Sequence, residues 1–552
     1  MAIRVSGLIS GLDTDSIVQE LVSAYSTKKE KYEKAQTKQE WKMDAWKTMN
    51  SKIYGFYTSS LSNMRMSTAY SLKTSSVSNS NIATVKASSS AVNGTQKMKV
   101  NKLASSAYMT GGVVKLSDDK NDTGNKKVTG STALSDMGIE TGSKIAVNDT
   151  EIEITDGMTV NQLISKFKDA GINASFDETN QRFFVNAKTS GAEGEFTITA
   201  NNADGLGALQ KLGLFAVYTT QKGADGNPVE TAEMQKYQKI VDGEIAATDE
   251  QKAVAKEVLD NKSSYANGNS DAARISGQDA EIVLNGATFT SSTGTFSING
   301  LSITAMQVTA AGEEVSITTS NDTQGMYNKI KEFLGKYNEL IKDMDTAYNA
   351  AAAKDYEPLT DDEKKDMSDS EIEKWETKIK DSLLRRDSTL GNTSSALKSL
   401  MNTSFEINGK TYSLSSFGIN TASYFSADTN EKGCLHIDGD ADDATTSGNE
   451  DKLMAAINED PEVVAEFFQK LSSSVYNDLT KRMASSSVSS IYTIYNDKQM
   501  SSEYSDYKDK VSKWQEKLEY YEEFYYKKFS AMEKALSKLQ SSTSSLSNLL
   551  GS

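Results

Sequence analysis

Both ends of this chain carry long helical patterns with an apolar stripe that needs a partner. In the C-terminal stretch, large apolar residues recur in steps of seven, at Val511, Leu518, Tyr525, Met532, Leu539 and Leu546. A seven-residue spacing keeps one seam of a helix against a second helix, so it predicts a coiled coil. The chain must therefore bury this seam against another part of itself or against another molecule.

A second helical pattern begins near the N-terminus and continues to about Met64. Its apolar residues alternate in steps of three and four, but Lys28, Gln39 and Lys42 interrupt the stripe. An aspartate, Asp13 or Asp15, can cap its first turn, because a carboxylate accepts hydrogen bonds from the free amides there. We predict that the two terminal helices pair, and that the chain between them leaves through nested domains and returns.

The central part of the sequence has the alternating pattern of β-strands. Asn285-Gly286 and Asn299-Gly300 separate alternating segments and predict tight hairpins, and Asn93-Gly94 marks another turn. Apolar spacing predicts helices over 160–169 and from about Thr323 to Tyr348. The predicted fold is α+β and multidomain, with long terminal helices forming a coiled-coil leg, a helical bundle domain and nested β-rich head domains.

These changes of pattern divide the chain into four parts, which its 552 residues are sufficient to form. The predicted parts are an N-terminal leg of residues 1–41 that is completed by 495–552, a helix-rich bundle of 42–70 plus 321–494, a β-rich head domain of 71–110 plus 271–320, and an outer head domain of 111–270. Within the outer head, residues 134–200 have the pattern of a compact unit, whereas residues 215–270 are the least readable.

The composition argues against several classes of protein. A formal net charge of -16 does not suit general nucleic-acid binding. The sequence has no run of about 18 apolar residues, so we expect no membrane insertion. Its first residues lack the apolar core of a cleaved secretory signal, so we expect none. A single cysteine, Cys434, excludes an intrachain disulfide.

Few residues suggest covalent or metal chemistry. Cys434 and His436 share one side of a short strand, but no second pair of ligands stands at zinc-site spacing. The acidic stretch from Asp438 resembles the start of a calcium loop, but Asp443 stands at the sixth position, which requires glycine, and Asn449 at the twelfth, which requires glutamate. No catalytic motif is present. We therefore predict no catalytic residue, no metal and no cofactor, and a protein that is not an enzyme.

Two helical segments allow more than one interpretation. Residues 28–52 are rich in lysine, which is typical of a nucleic-acid or membrane-surface helix, but the apolar seam in the same segment favours a coiled-coil flank. Aromatic residues are dense between Tyr520 and Phe529. Because they cannot all face one seam, they favour more than one neighbouring helix, as in a multi-chain bundle.

The first residues, Gly7-Leu8-Ile9-Ser10-Gly11-Leu12-Asp13-Thr14-Asp15-Ser16-Ile17-Val18, closely resemble the start of the flagellar hook-associated protein 2 family of filament cap proteins. Residues 134–198 resemble the "IN" module of flagellin and hook-associated proteins. Other segments that resemble the family lie at 278–286, 333–341, 356–360, 383–388 and 529–536. The resemblance covers both ends and most of the middle of the chain.

This resemblance implies a structural protein that caps the distal end of the bacterial flagellar filament and promotes the insertion and folding of exported flagellin. The implied partners are flagellin, a flagellar export chaperone and further copies of the chain in a ring, with a pentamer favoured. The implied location is extracellular, at the flagellum tip, after export by the flagellar type III apparatus without a cleaved signal. The alternative is a surface adhesin that binds mucin or glycan through its exposed head domains.

The terminal helices are the parts that we expect to make the assembly contacts, because unpaired apolar seams stay marginal until they meet other helices. The predicted coiled-coil and assembly residues are Leu8, Leu12, Ile17, Leu21, Trp46, Ile53, Val511, Trp514, Leu518, Tyr525, Met532, Leu539 and Leu546.

Overall fold

The computed structural model describes residues 10–117, 126–223, 225–268, 271–422 and 428–550. The chain forms two compact units. The helical unit consists of Met1–Leu72 and Asp322–Ser552, and the inserted unit consists of Lys73–Asn321. The predicted α+β, multidomain fold class is confirmed, with long helices at both ends and several small sheets between them.

The described elements are numbered in chain order. The helices are α1 (Thr14–Gly55), α2 (Ser62–Met64), α3 (Val160–Asp169), α4 (Ala203–Lys211), α5 (Ala232–Val241), α6 (Asp249–Asp260), α7 (Lys262–Gly268), α8 (Thr323–Asn349), α9 (Asp361–Lys365), α10 (Asp369–Asp381), α11 (Ser388–Met401), α12 (Lys452–Glu459), α13 (Pro461–Arg482) and α14 (Asp497–Leu550). A π-helical segment, Phe56–Leu61, joins α1 to α2, and 3-10 turns lie at Ser67–Ala69, Leu134–Met137, Ala192–Gly194 and Leu414–Phe417.

The strands are short, and every described pairing between them is antiparallel. They are β1 (Lys73–Val77), β2 (Ala83–Ala87), β3 (Gly94–Lys102), β4 (Ser106–Thr110), β5 (Lys144–Val147), β6 (Thr150–Glu153), β7 (Ile172–Asp177), β8 (Arg182–Ser190), β9 (Ile198–Ala200), β10 (Tyr218–Lys222), β11 (Pro228–Glu230), β12 (Ala273–Ile275), β13 (Ala280–Leu284), β14 (Ala287–Ser291), β15 (Thr295–Ile298), β16 (Leu301–Ala305), β17 (Val315–Asn321), β18 (Phe405–Ile407), β19 (Lys410–Tyr412), β20 (Ile419–Thr421) and β21 (Leu435–Ile437).

Local capping signals position the helices of the helical unit. The Asp13 carboxylate accepts a hydrogen bond from the Ser16 amide at 3.1 Å and so starts α1. Thr360 and Glu363 form the predicted capping box of α9. Asp460 caps α13, whose first residue is proline, as the sequence predicts.

The core of the helical unit lies among α8, α11, α12, α13 and the later part of α1. The predicted apolar face of α8, which includes Ile330, Phe333 and Tyr337, is buried. Phe467 and Phe468 of α13 are fully buried beside it. From about Trp46 onward, α1 is packed in this core, whereas the earlier part of α1 lies outside it.

Two hydrophobic cores fill the inserted unit. The first lies between a five-stranded sheet, in the order β1-β17-β3-β13-β14, and the three-stranded sheet β15-β16-β2. Asn285-Gly286 and Asn299-Gly300 have positive φ and close the two predicted hairpins. The turn at Asn93-Gly94 does not close a hairpin, because β2 pairs with β16 whereas β3 pairs with β13 and β17.

The second core lies around α3 to α6, the sheet β12-β4-β8-β7 and the sheet β6-β5-β9. The helix predicted over 160–169 is α3, and it begins with a capping box formed by Thr159 and Gln162. Within residues 215–270, where the sequence pattern predicts least about the structure, α5 and α6 bury Met234, Tyr237 and Val258 in this core.

Candidate assembly surface

The leg, defined as residues 10–42, which include the first part of α1, together with α14 after Met500, is built on an antiparallel pair of helices. Contacts between opposite ends of the sequence set its register. Ser10 contacts the Glu533 carboxylate, Tyr526 Oη donates to Asp15 at 2.8 Å, and Gln36 Nε2 donates to Tyr504 Oη at 3.2 Å. Trp46 and Tyr495 stack at 5.2 Å where the leg joins the bundle. The predicted pairing of the terminal helices is therefore present within one chain.

Aromatic rings form the middle of the leg. Tyr25 stacks on Tyr521 with ring centroids 4.4 Å apart, and Trp514 lies 6.3 Å from Tyr25. The Lys28 ammonium lies 4.8 Å from the centre of the Trp514 ring, a cation–π distance. A stacked pair of aromatic rings such as Tyr25 and Tyr521 contributes about 0.5–1.5 kcal/mol beyond the area it buries.

The polar positions that interrupt the stripe of α1 also make contacts. Gln39 Nε2 donates to the Met500 carbonyl at 3.2 Å and to the Glu503 carboxylate at 3.1 Å. Lys42 pairs with Asp387, the N-cap residue of α11, at 3.4 Å. The sequence indicates a weaker seam at these positions, but polar contacts replace apolar packing there.

The predicted assembly residues occupy three environments. Trp46 and Ile53 are 2% and 0% exposed and belong to the core of the helical unit rather than to the leg. The half-buried residues of the leg are Ile17, Val511, Trp514, Leu518, Tyr525 and Met532. The exposed ones are Leu12, Leu21, Leu539 and Leu546, at 45%, 42%, 63% and 61%. Leu8 lies outside the described residues.

The contact surface includes residues that the predicted set omits. Val18 and Val22 are buried, and their spacing of four residues on α1 is a signal from which they could have been found. Tyr521 was also omitted, although it stands seven residues after Trp514, a spacing from which it could have been found. Glu533 is 5% exposed and lies against Ser10. No sequence pattern predicts a buried carboxylate at this position.

Apolar side chains remain exposed in the part of the leg away from the bundle. Besides the four exposed leucines, Tyr520 and Phe524 of α14 are 63% and 37% exposed. Two paired helices cannot bury rings that point away from the shared seam, so this surface is available to further helices. The exposed residues lie on both helices and beyond Glu533 toward the end of α14.

The residues that suggested chemistry form local structure instead. His436 Nδ1 lies 2.5 Å from Asp443 Oδ2, and burial raises the pKa of the Cys434 thiol. Lys331 donates to Asp440 and Asp442, each at 2.6 Å, and ties the acidic loop to α8. Across the described residues, no group of three or more His, Cys, Asp or Glu side chains is arranged to hold a metal ion.

None of the helices in the described ranges is long and apolar enough to cross a membrane.

Two family matches cover most of the chain. The family described as flagellar hook-associated protein 2 N-terminus matches residues 10–107, and flagellar hook-associated protein 2 C-terminus matches residues 277–541. Among individual relatives, flagellar hook-associated protein 2 of Halalkalibacterium halodurans is 22% identical over 489 residues, which cover 84% of this chain and 78% of that protein. The Thermotoga maritima protein of the same name is 24% identical over 416 residues, 74% of this chain and 54% of that protein.

Solved structures give weaker likenesses. The D1-D2-D3 domains of the flagellar cap protein FliD from Escherichia coli align with 16% identity and a TM-score of 0.45, covering 80% of this chain and 96% of that chain. FliD from Pseudomonas aeruginosa aligns with 18% identity and a TM-score of 0.27, covering 47% of this chain and 93% of that chain.

Proposed function

The chain belongs to the flagellar hook-associated protein 2 family, and we propose that it caps the distal end of a bacterial flagellar filament. There it promotes the insertion and folding of exported flagellin subunits. The observation that carries this proposal is the leg, a two-helix unit whose exposed apolar side chains fit further helices. The family is one of structural flagellar proteins, so the chain is not an enzyme.

The proposed mechanism uses the leg as a reversible plug. Isolated helical seams are marginal in water and gain stability when they pack against other helices. Leg residues such as Leu12, Leu21 and Leu539 bind helices of flagellin or of neighbouring copies, and they release when a new subunit enters. This work needs no covalent step, only contacts that form and break.

The proposal extends to partners and location. The chain forms a ring-like homo-oligomer, with a pentamer favoured, and it contacts flagellin and a flagellar export chaperone. It acts outside the cell at the flagellum tip after export by the flagellar type III apparatus without a cleaved signal. We retain the four-part domain division and the predicted assembly residues, Leu8 included, as part of this proposal, except Trp46 and Ile53, which are buried in the core of the helical unit. No observation on the described residues favours the adhesin alternative.

The test is a charge placed on the exposed end of the leg. Leu539→Asp is introduced into a strain that lacks its own copy of this gene, and filaments are measured by electron microscopy. Because Leu539 is 63% exposed, the free energy of unfolding should change by no more than about 0.5 kcal/mol. Filaments should nevertheless be short or absent, and flagellin should accumulate in the medium.

The matched control is Ser541→Asp, which adds the same charge at an exposed polar position in the same part of α14. It should leave filament length and swimming unchanged. Normal filaments and normal motility in the Leu539→Asp strain would contradict the proposed role of the leg.

A further inference from the structure

The chain between α8 and α11 has few contacts with the core of the helical unit. Its residues 351–387, which contain the short helices α9 and α10, are called the strap below. α9 buries no residue, and α10 buries only Ile379. Within the described chain, residues 351–359 make no hydrogen bond between backbone groups. The first part of the strap is therefore held neither by a core of its own nor by a sheet.

The strap is anchored at its C-terminal end. Leu384 is 5% exposed and belongs to the core of the helical unit, and the Arg386 amide donates to the Tyr348 carbonyl at 3.0 Å. Within the strap, the rings of Tyr356 and Trp375 lie 4.5 Å apart. The strap thus has internal contacts, one fixed end and one end that depends on what it meets at the surface.

Charged side chains join the free end of the strap to α1. The first turn of α9 is acidic, and Lys34 of α1 donates to the Glu363 carboxylate in that turn at 2.8 Å. Lys365 and, at longer range, Lys29 lower the pKa of Asp362, so Lys29 lies near the same turn. The lysine-rich stretch of α1 therefore faces an acidic turn of its own chain.

Two further charged contacts lie closer to the bundle. The Lys380 ammonium of α10 lies 4.5 Å from the centre of the Trp41 ring, a cation–π distance, and Lys42 pairs with Asp387 at 3.4 Å. Ion pairs at a protein surface are individually weak, and salt screens them. A strap that depends on such contacts can be released at low cost.

Open space lies between the strap and α1 at two places. A cleft of about 900 Å³ is lined by Ala45 and Met49 of α1 and by Tyr356 of the strap. A second cleft, of about 460 Å³, is lined by Ala35 of α1 and by Pro358 of the strap. Close-packed protein interiors contain few voids larger than a water molecule. Charged contacts, and not continuous apolar packing, therefore hold the strap against α1.

We propose that the strap attaches to and detaches from the leg. Attached, it gives the part of α1 in the leg a second neighbour beside α14, and detached, it leaves that part on α14 alone. The use of this device rests on the proposed function, in which the leg engages and releases other helices. The device itself belongs to a single chain, so it can be measured without a filament.

Amide hydrogen exchange of the full-length chain at two ionic strengths measures the detachment. Exchange in residues 361–381 and 34–42 is compared with exchange in α13, which lies in the core. Raising the ionic strength from about 0.01 M to about 1 M shortens the screening length from roughly 30 Å to roughly 3 Å. In the native chain, exchange in both segments should accelerate by about two- to fivefold relative to α13.

Charge reversal tests the contact at Lys34. Lys34→Glu places a second carboxylate against Glu363, so exchange in both segments should rise by about two- to fivefold at low ionic strength. Because salt then screens a repulsion, the effect of salt should change sign in this variant. Adding Glu363→Lys should restore slow exchange in residues 34–42, the segment that does not depend on the capping box of α9.

The matched control is Lys47→Glu, which makes the same change of charge at an exposed position of α1 that has no ion pair with the strap in the described chain. It should alter exchange in neither segment. Exchange that both salt and Lys34→Glu leave unchanged would overturn the proposed detachment. An equal rise in α13 would mean that the strap and the bundle open together, and it would overturn the proposal too. Neither result bears on capping, which Leu539→Asp tests separately.

Discussion

The two halves of α1 have similar helical patterns and very different surroundings. In the later half, Trp46, Met49 and Ile53 are each at most 6% exposed, because α8 and α13 contribute to the same core. In the earlier half, α14 supplies the main seam, and Leu21 remains 42% exposed, as does Leu12, just before the helix, at 45%. Burial along this helix is therefore decided by the number of neighbouring elements and not by the apolar content of the helix.

The difference assigns the two halves different energetic roles. The bundle half buries side chains fully and so carries stability of the helical unit. The leg half packs mainly on α14, through stacked rings and polar contacts, which is the kind of region that opens locally at low free-energy cost. A helix that is fixed at one end and unsaturated at the other fits a plug that must engage other molecules.

The largest expected effect comes from the bundle half. Ile53→Ala leaves a cavity in a site that is 0% exposed, so the free energy of unfolding should fall by about 2–5 kcal/mol. Leu21→Ala, in the leg half, should cost less than about 1 kcal/mol. Urea unfolding followed by circular dichroism measures both. Equal losses at the two positions would break the comparison.

A smaller and more local effect is expected within the leg. Tyr521→Ala removes the ring that stacks on Tyr25, so amide hydrogen exchange should accelerate in the first turns of α1 while the bundle keeps its protection. The control is its neighbour Tyr520→Ala, which removes a ring that is 63% exposed. Loss of protection throughout the bundle in the Tyr521 variant would show that the leg and the bundle unfold together.

Much of the fold was predictable because its signals are local. The Asn-Gly hairpins, the capping box at Thr360 and the proline start of α13 all depend on residues close in sequence, and the structure confirms each of them. Strand partners were not predictable in the same way. The segments on either side of Asn93-Gly94 join different sheets because each pairs with strands about 200 residues away, a choice that no local pattern records.

In the candidate site, too, the local features were predictable from the sequence and the long-range contacts were not. The seven-residue spacing predicted the contact surface of α14, but it predicted contacts at Leu539 and Leu546 just as it did at Leu518. Leu518 is half-buried in the structure, whereas Leu539 and Leu546 are exposed. A periodic pattern states which face of a helix is apolar, and it does not state how far the partner helix extends. Polar contacts such as that of Gln39 with the Met500 carbonyl could not be predicted either, because the spacing of apolar residues gives no information about a polar side chain in the seam.

The smallest expected effect concerns an ion pair that links the leg half of α1 to α9. Lys34 donates to the Glu363 carboxylate at 2.8 Å, and this contact, with the Thr360 amide, lowers the pKa of Glu363. A lowered folded pKa means that the contribution to stability is present above the ordinary value of 4.5 and is lost as the pH falls through the folded pKa. The pair is partly exposed, so its contribution is at most about 0.5 kcal/mol.

Glu363→Gln isolates that contribution, because glutamine can keep the capping-box hydrogen bond to the Thr360 amide while it removes the charge that faces Lys34. The variant should be slightly less stable than the native chain at pH 7, and the difference should vanish below the lowered pKa of Glu363. High salt at pH 7 should shrink it as well. The same difference at both pH values would mean that the side chain acts through shape and hydrogen bonding alone, so that electrostatic attraction contributes nothing to holding the leg half of α1 against α9.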